Sequence, residues 1–199
     1  MADLELPEGL RLDRSTGALS GSARRYDKRI RDLGGLYADE EAFARCCADR
    51  GDEVAYWVED FRTDSPGSLV VGTTVLLPGT VGEEYAMTRG HLHQVAEAAE
   101  VYHCVAGHGV LLMETLAGEV RAVEMHPDTI VYVPGGWIHR SVNVGPAPLV
   151  TVFTFDAAAG QDYAVIGRSR GLAKLVTTDA SGGWRLSDNP RYVSRDGRG

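Results

Sequence analysis

Cysteine is scarce in this chain, with only three among 199 residues and no C-x-x-C pair. Cys46, Cys47 and Cys104 therefore indicate reduced thiols of a cytoplasmic protein rather than a disulfide framework. No run approaches the roughly 18 apolar residues that a membrane span needs. The first thirteen residues are acidic and lack the apolar segment of a signal peptide. The sequence predicts a cytoplasmic protein with no membrane partner.

Basic residues are also fewer than acidic ones: the chain has 20 Lys and Arg against 28 Asp and Glu, which gives a net charge of −8. That balance argues against a general nucleic-acid or anionic-membrane binder. It leaves room for an anionic small molecule, which needs only a few local donors. The one locally basic run covers residues 24–31. We interpret it as a solvated face with ion pairs, and phosphate binding is the alternative hypothesis.

Helical patterning is limited to one short stretch, over residues 39–50. Asp39 is suited to cap it, acidic residues fill its first turn, and Gly51 is expected to end it. Elsewhere short β-branched and aromatic runs alternate with glycine turns. The predicted strands cover 55–61, 69–77, 84–87, the segment around residues 91–93, 101–106, 110–115, 119–125, 129–133, the segment around residue 139, and 149–155. This pattern predicts an all-β antiparallel barrel or jelly roll.

The length predicts a single domain over residues 1–199. Within it we expect an N-terminal arm over about 1–36 with irregular structure and one or two short strands, a barrel core over about 53–156 and a C-terminal tail over about 157–199. The tail contains one weak apolar piece at 172–176, and residues 194–199 are expected to be frayed.

Three histidines and one glutamate carry the strongest chemical signal. His91 and His93 are two residues apart, so on a strand both side chains point to the same face. Glu100 opens the next apolar alternation, and His139 follows a Gly-Gly turn on a later strand. Inward-facing side chains from neighbouring barrel strands come together in the interior. These four residues therefore predict a metal site.

Other candidates compete with this set. Glu97 is an alternative carboxylate ligand, but Glu100 is favoured because it lies on the strand itself, seven residues before the turn at Gly107. His108 and His126 lie at turns and are interpreted as surface residues. The ligands suit one divalent transition metal, namely Fe, Mn, Ni, Co or Zn, and the sequence does not choose among them.

Two motifs resemble those of the cupin superfamily. The first is formed by His91, His93, Glu100 and Gly107, and the second by Pro134, Gly136, His139 and Asn143. Asp128 stands where the second motif usually opens with glycine. Aspartate tolerates the left-handed backbone that such a turn requires. The resemblance implies a cupin jelly-roll barrel.

More narrowly, the chain is similar to the archaeal-type cupin phosphoglucose isomerases from about residue 10 to residue 192. Six residues separate His93 from Glu100, as in that family. The matching segments are TTVL at 73–76, TRGH at 88–91, AEVY at 99–102, VYVP at 131–134, WIHR at 137–140, AGQDY at 159–163 and DNPR at 188–191.

The resemblance implies a metal-dependent aldose–ketose isomerase that interconverts glucose 6-phosphate and fructose 6-phosphate through an enediol(ate). Glu100 corresponds to the proposed base, although a hydride shift has also been proposed for the family. Tyr56, Thr88 and the backbone of Gly90 correspond to contacts of the phosphate end, and Tyr102 lines the sugar. A homodimer with exchanged or packed N-terminal strands is also implied.

Phe155 and Gln161 depart from the family, which has a tyrosine and a histidine facing the substrate at these positions. Phenylalanine has no hydroxyl group, and glutamine cannot relay a proton near neutral pH. Two alternatives follow. The chain could be a repurposed metallo-cupin acting on another sugar or using Fe(II) and O₂, or a non-catalytic sugar-binding cupin.

Overall fold

The structure, a computed structural model, describes residues 6–21, 24–63 and 65–195. In chain order its first elements are β1 (Arg24–Arg29), a 3₁₀ turn (Ile30–Leu33), α1 (Glu40–Arg50), β2 (Val54–Phe61), β3 (Leu69–Leu76), β4 (Thr80–Val81), β5 (Glu84–Tyr85), β6 (Leu92–His93) and β7 (Glu100–Ala106). The remaining elements are β8 (Gly109–Thr115), β9 (Val120–Met125), β10 (Ile130–Val133), β11 (Trp137–Asn143), β12 (Leu149–Asp156), β13 (Gln161–Asp162), α2 (Ala164–Arg168), β14 (Lys174–Thr178) and β15 (Trp184–Asp188).

Antiparallel strands in two layers build the barrel. Within the described residues, one sheet has the order β1-β2-β3-β12-β7-β10, and a second has the order β11-β8-β9. An isolated bridge between His91 and His139 joins the second sheet to the pair β6-β13. One apolar core fills the space between the layers, with residues such as Val70, Leu111 and Ile138 from both. The predicted all-β jelly-roll barrel is confirmed.

Side-chain alternation decides which residues face the core. In β10, Val131 and Val133 are buried, whereas Ile130 and Tyr132 are exposed on the outer face. Successive side chains of a strand point to opposite faces, so a two-residue period places them this way. The same period places Glu100 and Tyr102 of β7 inside the barrel.

The predicted helix is confirmed as α1. The carboxylate of Asp39 accepts a hydrogen bond from the backbone N–H of Ala42 at 2.8 Å, as an N-cap residue does. Gly51 follows the last helical residue with φ −56° and ψ −28°, so the helix ends without a left-handed residue. All three cysteines are free, and Cys104 is buried.

The predicted arm and tail both contribute strands to the sheets. β1 lies in the predicted arm and pairs with β2. In the predicted tail, β13 pairs with β6 and β14 pairs with β5. A short strand in the arm and the apolar part of β14 were expected, whereas β13 was not. The pairing supports one domain, but the single-domain organisation over residues 1–199 stays a prediction.

The basic run at 24–31 lies mostly on β1, an exposed edge strand. Arg25 forms an ion pair with Asp27 at 2.9 Å, and Arg31 forms one with Asp52 at 2.5 Å. These contacts support the interpretation of the run as a solvated face. No helix within the described residues is long and apolar enough to cross a membrane.

The expectation of a frayed end is wrong for Arg195. Its guanidinium forms an ion pair with Glu114 of β8 at 2.9 Å, with side-chain exposures of 3% and 0%. It also donates to the carbonyl oxygen of Gly171 at 2.7 Å. The tail is therefore fastened to the barrel through a buried charge pair. Residues 196–199 lie outside the described part of the chain.

Candidate metal centre and active site

The four predicted ligands meet inside the barrel. His93 lies on β6, Glu100 begins β7 and His139 lies on β11. The backbones of His91 and His139 exchange two hydrogen bonds, of 3.1 Å and 3.0 Å. That bridge places residues that are far apart in the chain side by side in the interior.

Gly90 permits this close approach. It has a φ of +77°, a left-handed conformation that favours glycine. A Cβ atom at this position would lie 2.9 Å from the carbonyl oxygen of His139. A larger residue would therefore push the His91 segment away from β11.

One carboxylate oxygen is the centre of the cluster. Oε2 of Glu100 lies 2.8 Å from Nε2 of His139, 3.3 Å from Nε2 of His93 and 3.6 Å from Nε2 of His91. All four residues are at most 9% exposed. Three imidazoles thus direct the same ring nitrogen at one carboxylate, within a space of 4.8 Å.

Backbone carbonyls orient two of the imidazole rings. Nδ1 of His93 lies 3.0 Å from the carbonyl oxygen of Ala98, and Nδ1 of His139 lies 3.0 Å from that of Trp137. A proton on Nδ1 satisfies each carbonyl and leaves the lone pair of Nε2 for a metal. Nε2 of His93 is buried without a hydrogen-bond partner. This orphaned nitrogen and the N/O donor set fit a first-row divalent ion.

Electrostatics set the charge state of two of the four ligands, His91 and Glu100. Burial, followed by the charge of His139, lowers the pKa of His91 to about 4, so this ring is neutral near pH 7. Burial would raise the pKa of Glu100, but its hydrogen bond with His139 and the nearby imidazoles of His91 and His93 outweigh burial and hold the pKa well below its usual value. Neutral imidazole and ionised carboxylate are the forms that bind metal ions.

The rejected candidates lie elsewhere. Glu97 is exposed in the loop between β6 and β7, away from the cluster. His103 follows Tyr102 on β7, so strand alternation turns it to the opposite face; its side chain is 42% exposed, and its Nε2 lies 3.9 Å from Asp128. Asp128 itself has a φ of +72°, the left-handed conformation expected where the motif usually has glycine.

A cavity opens beside the cluster, and every predicted substrate-side residue lines it. These residues are Tyr56, Thr88, Gly90, Tyr102, Phe155 and Gln161. The ring of Phe155 lies 5.3 Å from that of His93, and the ring of Tyr102 lies 5.7 Å from that of His139. The structure therefore brings the two departures from the family, Phe155 and Gln161, to the cavity wall.

Gln161 contacts the cluster through its amide group. The hydroxyl of Tyr163 donates to Oε1 of Gln161. This orientation turns Nε2 of Gln161 towards Nε2 of His91, at 3.4 Å. Tyr163 itself lines the cavity and packs at 5.8 Å from the His91 ring.

Sequence reasoning missed several lining residues, chiefly Tyr26, Arg89, Arg140 and Tyr163. The guanidinium of Arg89 lies 5.4 Å above the Tyr163 ring. Within the described ranges no carboxylate lies at ion-pair distance from it. Arg89 lies within the matching segment at 88–91 and Arg140 within the segment at 137–140, and these segments were the available signal. Tyr26 was missed because the short strands expected within residues 1–36 were not assigned to positions or to a place in the sheet.

Arg140 stabilises the part of the cavity wall that contains Arg89. Its side chain is buried, and Nη2 donates to the carbonyl oxygen of Arg89 at 3.1 Å. Burial lowers the pKa of Arg140 to about 10, so the guanidinium remains charged near neutral pH.

The jelly-roll barrel and its three inward imidazoles with one carboxylate define a cupin of the metal-binding class. The profile of the family described as glucose-6-phosphate isomerase (GPI) matches residues 27–193. The chain belongs to this glucose-6-phosphate isomerase family.

Individual relatives are similar over nearly the whole chain. Glucose-6-phosphate isomerase of Sinorhizobium medicae is 44% identical over 98% of this chain and 92% of its own length. That of Thermococcus litoralis is 40% identical over 94% of this chain and 96% of its own length. Among solved structures, a recombinant oxalate oxidase in complex with glycolate is 16% identical, covers 56% of each chain and has a TM-score of 0.47.

Proposed function

We propose that this protein is a metal-dependent aldose–ketose isomerase that interconverts glucose 6-phosphate and fructose 6-phosphate. His91, His93, Glu100 and His139 hold one divalent ion, which is Fe, Mn, Ni, Co or Zn. The observation that carries the proposal is the convergence of three Nε2 atoms on Oε2 of Glu100 beside the cavity. Family membership supplies the substrate pair.

The bound ion supplies Lewis-acid stabilisation of the negative charge that develops on the substrate oxygens. Glu100 takes the proton from one of the two reacting carbons and returns it to the other through an enediol(ate), while the hydroxyl proton passes from one of the two substrate oxygens to the other. Its three imidazole contacts keep it ionised, and therefore able to accept that proton. Burial, followed by the charge of Glu100, raises the pKa of Tyr102 well above its usual value, so its hydroxyl stays protonated beside the base.

The phosphate end of the substrate binds at the segment that precedes His91. The hydroxyls of Tyr56 and Thr88 and the backbone of Gly90 line this part of the cavity. The exposed Arg89 adds a positive charge in a protein whose net charge is −8. A guanidinium without a carboxylate partner attracts a phosphate dianion and can bind it in a bidentate manner.

Deuterium incorporation tests the proton transfer. Fructose 6-phosphate is converted in D₂O, and the glucose 6-phosphate formed is examined by NMR at C2. Transfer through Glu100 exchanges with solvent and places deuterium at C2. Turnover without any deuterium would reject Glu100 as the carrier and indicate a hydride shift.

A second candidate function rests on Phe155 and Gln161. Both line the cavity, and neither relays protons in the way that tyrosine and histidine do. A repurposed metallo-cupin that uses Fe(II) and O₂ would consume oxygen in an electrode assay with iron. An isomerase consumes none and also works with other divalent ions.

We also propose a homodimer, and we place its interface on the outer face of β10 and β7 rather than on the N-terminal strands that the resemblance implied. Ile130, Tyr132 and Val101 are 68%, 65% and 37% exposed, and Tyr132 pairs directly with Val101. An apolar patch on an edge strand favours association. Light scattering should give a dimer for the native protein and a monomer for Tyr132→Asp. A monomeric native protein would reject the interface. The cytoplasmic location stays a prediction.

A further inference from the structure

Two histidines and a glutamate come together outside the barrel interior. His108 lies in the turn between β7 and β8, Glu124 lies near the end of β9, and His126 follows that strand. The pairing of Gly109 with Met125 brings the two strand ends side by side. Because side chains two residues apart share a face, Glu124 and His126 lie on the same side of β9. None of the three residues lines the cavity of the candidate active site.

Their donor atoms converge on a single point. Nε2 of His108 lies 2.7 Å from Oε1 of Glu124, and Nε2 of His126 lies 3.6 Å from the same oxygen. The two imidazole rings are stacked at 4.3 Å with an interplanar angle of 16°, so one ring must turn before both Nε2 lone pairs point at one ion. Three donor atoms within 4.8 Å match a metal site, since ligands of a tetrahedral ion with bonds of about 2.1 Å lie about 3.4 Å apart.

We propose that His108, Glu124 and His126, here called the surface trio, bind a second divalent transition metal ion. Nε2 of each histidine and Oε1 of Glu124 are the ligands, and water completes the coordination. Two imidazoles and one carboxylate favour Zn(II), Ni(II), Co(II) or Cu(II) over Mg(II) or Ca(II), which prefer oxygen ligands. Both histidines must be neutral to bind, so a bound ion replaces the His108–Glu124 hydrogen bond.

Trp184 links this site to a third strand. Trp184 lies on β15, and its indole Nε1 donates a hydrogen bond to Oε1 of Glu124 at 3.2 Å. A bound ion would therefore link the β7–β8 turn to β9. The hydrogen bond between Glu124 and Trp184 would connect the site to the β14–β15 hairpin. An indole next to a ligand also reports on the ion, because paramagnetic Ni(II) or Co(II) within a few ångströms quenches tryptophan fluorescence.

Metal stoichiometry and fluorescence test the proposal together. Protein stripped with chelator is titrated with Ni(II) and dialysed, and bound metal is counted by atomic emission. We expect two ions per chain for the native protein, one for His126→Ala, one for His139→Ala and none for the double variant. A fluorescence decrease should occur in His139→Ala, and it should disappear in His139→Ala combined with Trp184→Phe.

The matched control is His103→Ala, which removes an exposed histidine outside the surface trio. It should keep both ions. Glu124→Gln should weaken Ni(II) binding at this site by more than about tenfold, since even residues behind a ligand contribute that much. If His126→Ala binds as many ions as the native protein with unchanged affinity, the site does not exist. Circular dichroism verifies that each variant is folded.

Discussion

Nη2 of the buried Arg140 donates a hydrogen bond to the main-chain carbonyl oxygen of the exposed Arg89, at 3.1 Å. A charge inside the barrel thereby holds the backbone that presents Thr88, Arg89 and Gly90 to the cavity. Arg140 also contacts the sulfur of Met87 at 2.7 Å, on the same segment. The phosphate-binding segment is thus positioned from within the fold.

Arg140→Met should therefore impair substrate binding without removing the metal. Misplacing a binding segment by an ångström costs up to about 100-fold in catalytic efficiency, so we expect a large rise in KM. Steady-state kinetics and metal analysis of the same preparation check this. Arg185→Met, on the exposed face of β15, is the control and should behave like the native protein. Loss of metal in Arg140→Met would show that Arg140 supports the ligands instead.

His139→Ala should lose the ion of the barrel cluster and turnover together. His139 is 1% exposed and lies closest to Glu100 among the three histidines, so its removal opens the cluster and leaves the carboxylate without its shortest contact. Metal content after dialysis and the rate with fructose 6-phosphate are measured on one sample. Full activity at a reduced metal content would contradict the proposed ligand set.

Glu100→Gln should reduce turnover far more than metal binding. The amide oxygen retains a donor at the position of Oε2, and the three imidazoles remain, but glutamine cannot accept the transferred proton. Metal affinity from competition with a chelator is compared with kcat at saturating metal. Equal losses of affinity and kcat would remove the case for Glu100 as the base.

Arg195→Ala should destabilise the protein by about 3–5 kcal/mol, because it leaves the carboxylate of Glu114 buried without its charge partner. The free energy of unfolding from urea denaturation measures this loss. Arg185→Ala removes an exposed arginine whose nearest carboxylate is 3.8 Å away, and should change stability by less than about 1 kcal/mol. A small effect of Arg195→Ala would mean that the tail is not fastened through this pair.

Local patterns in the sequence were sufficient to predict the metal cluster. The two-residue spacing of His91 and His93 placed both on one face, and strand position favoured Glu100 over the exposed Glu97. Glycine turns and β-branched runs also predicted the barrel strands. Each of these signals is local, so the sequence shows it directly.

Features set by long-range pairing could not be predicted. β1 has the sequence RRYDKR, whose charges suit an edge strand and hide its place in the sheet. The ion pair between Arg195 and Glu114 joins a polar tail to β8, and no periodic pattern in the sequence predicts it. His108 and His126 were correctly placed at the surface, but their meeting with Glu124 depends on the register between β8 and β9.

The central claim is that the His91, His93, Glu100 and His139 cluster is the metal centre of a sugar-phosphate isomerase. The most direct measurement strips the protein of metal and reloads it anaerobically with Mn(II), Fe(II) or Zn(II). Conversion of fructose 6-phosphate is then followed by a coupled glucose 6-phosphate dehydrogenase. We expect no activity without metal and restored activity with at least one ion, and none in His139→Ala. Stoichiometric metal binding without turnover for every ion would contradict the claim.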